Sequence, residues 1–568
     1  METTINSVLQ EVFKFKNLKP FQEKVVDAML NKKDIFVISP TGSGKSLCFQ
    51  LPALIEEGIC VVISPLRSLI YDQVEALKKK GIQCELLNGD LTLSKKNKLF
   101  LELKKKYPSI KLLYSTPESI MCNEDTREVF KDLYKRGLMN RIVLDEAHCI
   151  STWGHDFRPN YLKVKNIKLE FPDIPIAALT ATATEKVNAD ISDILKLNEE
   201  TKVFKSSFIR SNLNLLIRQR GSKKEEIITC LDEIASELIT KYQGQSAILY
   251  AFSRNKCEEL AKILQDFGIN AEFYHAGLSA KKRNEVQNQW LDDKIQIICA
   301  TIAFGMGIDK PNVRVVYHFN LPKNIEGYYQ EIGRGGRDGK RSDCIFYYNE
   351  NDPILYKQMS NKKTKAILEK DCNYKEKQLE MAKNEQQKMY DMLGFVENYS
   401  ECRHILLSNY FGEKRKEKIG FCTDLCDNCI NYKLSGKKFK KTDVTKECIT
   451  IIQYIGSVRE AYKENIIRKM IGFPRKIPKR KLKKDVEGDW NSYKSEYEEQ
   501  KNIIVKKNQN YNENEKKIKR ILTKLVVDKY LKIEIVKVGK GIYGSWKEQY
   551  LPYKRSKKIL QGEKKIKV

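Results

Sequence analysis

SPTGSGKS at 39–46 combines a glycine-rich turn, a lysine and a hydroxyl, the residue types that surround a polyphosphate and its metal ion. Backbone N–H groups of Thr41, Gly42, Ser43 and Gly44 can face the phosphates, helped by the positive end of the helix that follows. Lys45 would reach the phosphates and the Ser46 hydroxyl would ligate Mg²⁺. Ser39 stands where the general pattern has Gly, which matters little if the turn starts at Pro40. About a hundred residues on, VLDEAH (143–148) offers two adjacent carboxylates. Asp145 can hold the metal through its water, and Glu146 can take the proton from the water that attacks the γ-phosphate. A third stretch, YYQEIGRGGRDGK (328–340), carries Arg334 and Arg337 three apart, expected on one face of a helix start. Guanidinium groups presented across a cleft neutralise charge on a transferring phosphoryl group. Together these predict NTP hydrolysis at a site complete only when two domains close on each other.

Such motifs need strand ends and helix starts to hold them. DIFVIS (34–39), CVVISP (60–65), IKLLYST (110–116), RIVLDE (141–146) and IPIAALTAT (174–182) read as strands, each followed by a helical or turn-rich segment. That is the βαβ signature of a parallel sheet. A second series runs through SAILYAF (246–252), NAEFYHA (270–276), IQIICAT (295–301) and VRVVYHF (313–319). The prediction is an α/β chain with two parallel-sheet domains, 1–207 and 208–348, joined near 205–220. Segment 350–400 reads as mainly helical.

The chain has 568 residues, enough for three or four domains, and 41% of them are hydrophobic. No run of eighteen uncharged apolar residues exists, and the N-terminus lacks an apolar signal core, so neither membrane span nor secretory leader is expected. A formal charge of +29 favours a polyanionic partner. Of fifteen cysteines, Cys402, Cys422, Cys426 and Cys429 cluster as C-x19-C-x3-C-x2-C. Four thiolates at that spacing can fill a tetrahedral, structural Zn²⁺ site. His404 is a conceivable alternative ligand, but four sulfurs suffice. The scattered remainder, such as Cys48 and Cys60 in apolar runs, reads as reduced buried thiols of an intracellular protein. A zinc-binding module is expected over 349–435 and a winged helix over 436–568. The latter follows from three helix candidates and a hairpin around GKGIYGSW (539–546), with a mixed-charge insertion at 475–517 expected to be disordered.

SPTGSGKS, PLRSL, STPE, DEAH, LTATAT, FGMGID and YYQEIGRGGRDG stand in order over some 300 residues and resemble the helicase core of superfamily 2. CISTWGHDFRPNY (149–161), with ECRHILLSNYFGE and CTDLCDNC, narrows the resemblance to the RecQ family of DNA helicases. The resemblance implies that 1–207 and 208–348 are RecA-like domains, with ATP, Mg²⁺ and Zn²⁺ as cofactors and 3′→5′ translocation on single-stranded DNA. It also implies unwinding of forked or branched duplexes in repair, recombination or replication. Phe15, Lys19 and Gln22 fall on the adenine pocket, although relatives usually have Phe-Arg where this chain has Leu18-Lys19. Asp309 joins the nucleotide site and Gln330 the catalytic group with Arg334 and Arg337. The segment after DEAH falls on an aromatic-rich loop that senses single-stranded DNA, with Trp153 and Phe157 offering ring faces to bases. There His155 would polarise the path back to Glu146, and Arg158 would pair with phosphate or the incoming domain. Arg67, Thr116 and Thr301 fall on the strand-binding track, and Tyr543 on the tip of a wing that can pry apart the end base pair. Repair or topoisomerase proteins are possible partners, and the nucleus is the expected location, as basic clusters such as KRKLKK (479–484) also suggest. No stretch resembles the small helical helicase-and-RNase-D-like domain or a nuclease motif. The rival expectations are a DEAH-type RNA helicase, a DNA-binding or annealing protein with weak ATPase, and a zinc-dependent transcription regulator.

Overall fold

The computed structural model describes residues 2–560 apart from 122, 152, 155–157, 159, 198–199, 306–307, 355, 357–359, 361–374, 416–418, 437–441, 459–460, 472–510, 529, 539–544 and 553–555. Two compact units emerge. The first is Met1–Pro322, Glu326–Tyr347 and Cys402–Ile430; the second is Lys323–Ile325, Tyr348–Glu401 and Asn431–Val568.

Runs of β-branched residues become central strands in the first unit, because a strand covered on both faces needs no polar alternation. β1 (Ile35–Ile38), β2 (Ile59–Ile63), β3 (Cys84–Leu87), β4 (Leu112–Ser115), β5 (Met139–Leu144), β6 (Ile176–Thr180) and β7 (Lys202–Lys205) form one sheet. Its order is β3-β4-β2-β5-β6-β1-β7, and every neighbouring pair is parallel. Helices Glu2–Glu11, Pro20–Leu30 and Lys45–Ile55 bury Leu9, Val25 and Phe49 in its core. Burying a side chain of that size contributes about 1.5–3 kcal/mol.

β8 (Leu213–Gln219), β9 (Ser246–Tyr250), β10 (Ala271–Tyr274), β11 (Ile297–Ala300), β12 (Val313–His318) and β13 (Ser342–Tyr348) build the second sheet, in the order β10-β11-β9-β12-β13-β8. The chain crosses between lobes from Lys205 to Leu213, inside the expected join. β3, β7, β8 and β13 are additions to the predicted strands. β7, KVFK, is mostly exposed and therefore carries little apolar signal. In parallel sheets of this kind, ligands gather beyond the carboxyl ends of the strands, where the loops after β1 and β5 carry SPTGSGKS and DEAH.

The module expected over 349–435 is divided. Cys402–Ile430 belongs to the first unit, because Leu215 N–H of β8 donates to Leu425 O at 2.9 Å and the Phe411 ring stacks on Phe208 at 4.5 Å. Helix Lys375–Val396 belongs to the second unit, where a Cβ on Gly394 would lie 3.1 Å from Val527.

In the second unit, helices Thr445–Ser457, Lys463–Ile471 and Tyr511–Val527 accompany the antiparallel hairpin of β14 (Leu531–Val538) and β15 (Ser545–Pro552), the layout of a winged helix. Ile518, Ile521, Leu522, Leu525 and Val526 are buried at helical spacing. They carry the helix back to Tyr511, which corrects the expectation of disorder over 511–517; the stretch 475–510 lies outside the described residues. Tyr543, expected at the tip of the wing, also lies outside them. Among the described residues no helix is long and apolar enough to cross a membrane.

Candidate nucleotide site and nucleic-acid interface

The turn after β1 takes left-handed backbone at Gly42 (φ +77°) and Gly44 (φ +87°), which side chains disfavour. At Gly44 a Cβ would also displace the Gln22 side chain, whose Nε2 it would meet at 2.5 Å. Lys45 starts the next helix and donates to Ser39 O at 2.7 Å and Pro40 O at 3.0 Å, curled over its own loop. Burial holds its pKa below the usual lysine value, opposed by Glu146 and Asp145.

β5 ends at Leu144, and Asp145 N–H is fixed on Ile63 O at 2.9 Å. Glu146 adopts left-handed backbone (φ +49°), at a cost of about 1–2 kcal/mol for a residue with a Cβ. Its N–H donates to Asp145 Oδ1 at 3.0 Å. Burial, then the Glu146 charge, push Asp145 up to about 7. Burial opposes ionisation of Glu146 too, but His148, Lys45 and Arg334 outweigh it, so its pKa falls. Glu146 Oε2 lies 3.3 Å from His148 Nδ1, yet it is buried without a hydrogen-bond partner. An ionised carboxylate with an open acceptor suits a base that takes a proton from water. The Asp145 carboxyl and the Ser46 hydroxyl line the same cavity, a pair of hard oxygen ligands that suits Mg²⁺.

Groups from the second lobe complete the cavity. It encloses about 580 Å³ and is lined by Lys45, Ser46, Asp145 and Glu146 on one side and by Asp309, Gln330, Arg334 and Arg337 on the other. Arg334 donates to Gly305 O, and Arg337 donates to Asp309 Oδ1 at 2.8 Å; the Nε of each arginine is buried and unpartnered. Gln330 Nε2 reaches Thr182 Oγ1 of the first lobe at 3.2 Å. The two arginines do not start a helix. They lie in the turn after helix Ile325–Ile332, where Gly336 has φ +54° and a Cβ on Gly335 would strike Ser342 Oγ at 2.5 Å.

At the far end of the cavity Phe15 is half exposed (51%), ready for a planar base. Gln22, expected to read the base edge, already has protein partners. Its Oε1 accepts from Lys19 N–H at 2.9 Å, and its Nε2 donates to Gly44 O at 3.2 Å. Lys19 Nζ reaches Ser43 O at 3.4 Å, so the base end and the phosphate loop are physically tied. A planar guanidinium in place of Lys19 could stack on a base, a gain of about 0.5–1 kcal/mol at an exposed site. Lys19→Arg is therefore expected to raise ATP-over-GTP selectivity roughly two- to fivefold in hydrolysis. An unchanged ratio would refute a role for this position in base choice.

The residues expected along the strand-binding track fare differently. Arg67 is exposed and paired with Asp90 at 2.5 Å. Thr116 is 2% exposed, and its Oγ1 contacts Ser119 N–H at 3.4 Å and Ser119 Oγ at 3.1 Å; it caps the helix Pro117–Met121 rather than offering a hydroxyl to solvent. Thr301 Oγ1 accepts from Ala303 N–H at 3.4 Å, next to Ile302, which is largely exposed. Trp153 carries the Lys186 ammonium 2.8 Å from its ring centroid, so one indole face is covered. Arg158 donates to Pro65 O at 2.6 Å, fastening the aromatic loop to the start of PLRSL. His155 and Phe157 lie outside the described residues. His148 is the imidazole beside Glu146, a neighbour visible in the DEAH string itself. Gln73, Leu69 and Asn17 line the cavity and Arg210 reaches the phosphate loop, four residues that sequence reasoning missed; RSNL inside the join was the available signal for Arg210.

Cys402, Cys422, Cys426 and Cys429 are buried with their sulfurs within 4.8 Å of one another, the one such ligand group among the described residues. Cys402 Sγ and Cys426 Sγ are 4.0 Å apart, near the roughly 3.8 Å that tetrahedral Zn–S bonds impose. Contacts from Cys422 and Cys426 pull the Cys402 thiol down to about 4. Cys429 Sγ accepts from Gly420 N–H at 3.1 Å, and Arg403 grips Asp427 through two 3.0 Å bonds beside the sulfurs. His404 contacts Leu425 O at 3.2 Å, leaving the sulfurs as the ligand set. The four residues fit zinc.

Family models match in three blocks: DEAD/DEAH box helicase at 19–190, helicase conserved C-terminal domain at 227–339 and RecQ zinc-binding at 355–430. The chain is 40% identical over 468 residues to the RecQ-like DNA helicase blm-1 of Caenorhabditis elegans, covering 81% of this chain and 45% of that protein. It is 38% identical over 451 residues to the ATP-dependent DNA helicase Q1 of Rattus norvegicus, covering 79% and 68%. Among solved structures, the DUF1998 helicase MrfA bound to DNA shares the fold, with TM-score 0.52 at 18% identity over 63% of this chain and 50% of that one. Two parallel-sheet lobes that share a nucleotide cavity define a helicase core. With its zinc-binding segment, the chain belongs to the RecQ family of helicases. It spans less than half the length of several of the curated relatives it matches, blm-1 among them.

Proposed function

We propose that the chain is an ATP-dependent DNA helicase that moves 3′→5′ along single-stranded DNA and unwinds forked or branched duplexes in repair, recombination or replication. The observation that carries this reading is the single cavity lined by Lys45 and Glu146 from one lobe and by Arg334 and Arg337 from the other. Lys45 would leave its own loop carbonyls for the phosphates, and Arg334 and Arg337 have buried Nε donors to spare. Glu146 accepts the proton of the attacking water, while His148 holds its carboxylate ionised. When bound, Mg²⁺ on Asp145 and Ser46 would neutralise charge on the phosphates, and Zn²⁺ on the four cysteines would hold 402–430 folded. Because the arginines and the carboxylates sit on different lobes, turnover changes the fit between lobes, and the strand-binding residues move with them. The +29 charge supports a nucleic-acid track, and a nuclear location with repair or topoisomerase proteins as partners belongs to the same reading.

Trp153 ties the aromatic loop to helix Glu185–Ile194 through Lys186, and Ser151 adds a bond to Asp190 at 2.5 Å. An indole in this loop suits base stacking, worth about 1–3 kcal/mol per base. Trp153→Ala is expected to keep basal ATP hydrolysis and to lose most DNA stimulation, with the DNA concentration for half-stimulation rising roughly tenfold. Full stimulation at the original DNA concentration would end this role. The reading as a whole is tested with DNA and RNA forks carrying 3′ or 5′ tails. Opening of 3′-tailed DNA forks in ATP is expected; RNA forks opening faster would favour an RNA helicase.

A further inference from the structure

Arg210 lies in the join between the lobes, and its backbone is held by the second: Leu213 N–H donates to Arg210 O at 3.0 Å, and Ser342 N–H donates to Asn212 O at 2.9 Å. Its side chain reaches the phosphate loop of the first lobe. One terminal nitrogen donates to Thr41 O at 2.8 Å, the other to Gly335 O at 3.3 Å and Gly336 O at 3.2 Å, and Nε donates to Asn212 Oδ1 at 3.3 Å. A guanidinium has five N–H donors, so these four bonds occupy most of the group and leave little for a phosphate. The carbonyls it holds belong to the residues between Arg334 and Arg337. The loop opposite packs against it: a Cβ on Gly42 would lie at contact distance, 3.4 Å, from both the Arg210 guanidinium and Arg337 Cγ.

We propose that Arg210 is a positioning residue that sets the register of the Arg334–Arg337 turn against the phosphate loop, so that the charges of both lobes meet a polyphosphate at fixed spacing. This rests on the ATPase reading above. A rigid two-ended fork is required for it. The lysine ammonium keeps the charge but concentrates its donors at one point, and cannot hold Thr41 O and the two glycine carbonyls together.

The full chain is tested with Arg210→Lys and Arg210→Ala. Both variants are expected to lower DNA-stimulated ATP turnover tenfold or more and by similar factors, with the KM for ATP changed less than threefold and melting unchanged. Rescue of turnover by lysine would mean that Arg210 supplies charge instead of register, and would overturn the proposal. Amide hydrogen exchange without nucleotide gives a second readout that needs no catalysis. Exchange over 41–46 and 335–337 is expected to quicken at least fivefold in both variants, and unchanged exchange there would also overturn the proposal. An unmodified chain without DNA-stimulated turnover would instead strike the helicase reading, with exchange still deciding the role of Arg210.

Discussion

Glu146→Gln is expected to cut DNA-stimulated ATP turnover by about a thousandfold, within the range of a lost general base, while nucleotide and DNA binding stay within roughly twofold. The substitution keeps the shape of the side chain in its left-handed backbone and removes only its charge and basicity. Glu146 Oε2 is a buried acceptor with His148 Nδ1 3.3 Å away, and His148, Lys45 and Arg334 favour its ionised form. The amide cannot accept the proton of the attacking water. It also lifts from Asp145 one of the two influences that push its pKa up, so metal binding should not suffer. Steady-state turnover, binding of a fluorescent nucleotide and filter-bound DNA are the measurements. Retention of more than a tenth of the turnover would mean that another group is the base.

Cys426→Ser is expected to unfold the segment around 402–430 and release its metal, because apparent binding energies of structural zinc are of order 10 kcal/mol and become folding energy. The effect should spread beyond the cysteines. Cys426 pairs with Leu215 of β8, Phe411 stacks on Phe208 in the join, and Glu413 accepts from Phe208 N–H at 3.0 Å. New protease cleavage between 402 and 430, loss of bound zinc and a lower melting temperature are the expected readings, and chelation should reproduce them in the unmodified chain. A variant without zinc that melts and resists protease as before would show that sulfur packing alone suffices.

What the sequence makes legible is the local placement of the motifs. A glycine turn followed by Lys45, a strand ending in Asp145 and Glu146, and closely spaced cysteines state their partners within a few residues. The central strands were equally plain, since β1 and β2 are buried throughout and read as unbroken apolar runs. What was hidden depends on contacts between distant residues. Thr116 looked like a polar end to a strand, but the turn that follows makes it a buried cap. The tie from Gln22 to Gly44 and the reach of Arg210 to Thr41 join positions 22 and 169 residues apart, which no periodicity records. Edge strand β7 escaped because a mostly exposed KVFK lacks apolar contrast. Helix Tyr511–Val527 starts inside the expected insertion because its first turn, YNEN, is as polar as the sequence before it.

The central claim is that a nucleotide held between the two lobes drives movement of a DNA strand. Strand displacement and phosphate release, followed together on one 3′-tailed DNA fork, test it most directly. Displacement that starts with ATP, scales with phosphate released and vanishes in Glu146→Gln is the predicted result. Normal DNA-stimulated phosphate release with the fork left closed would contradict it.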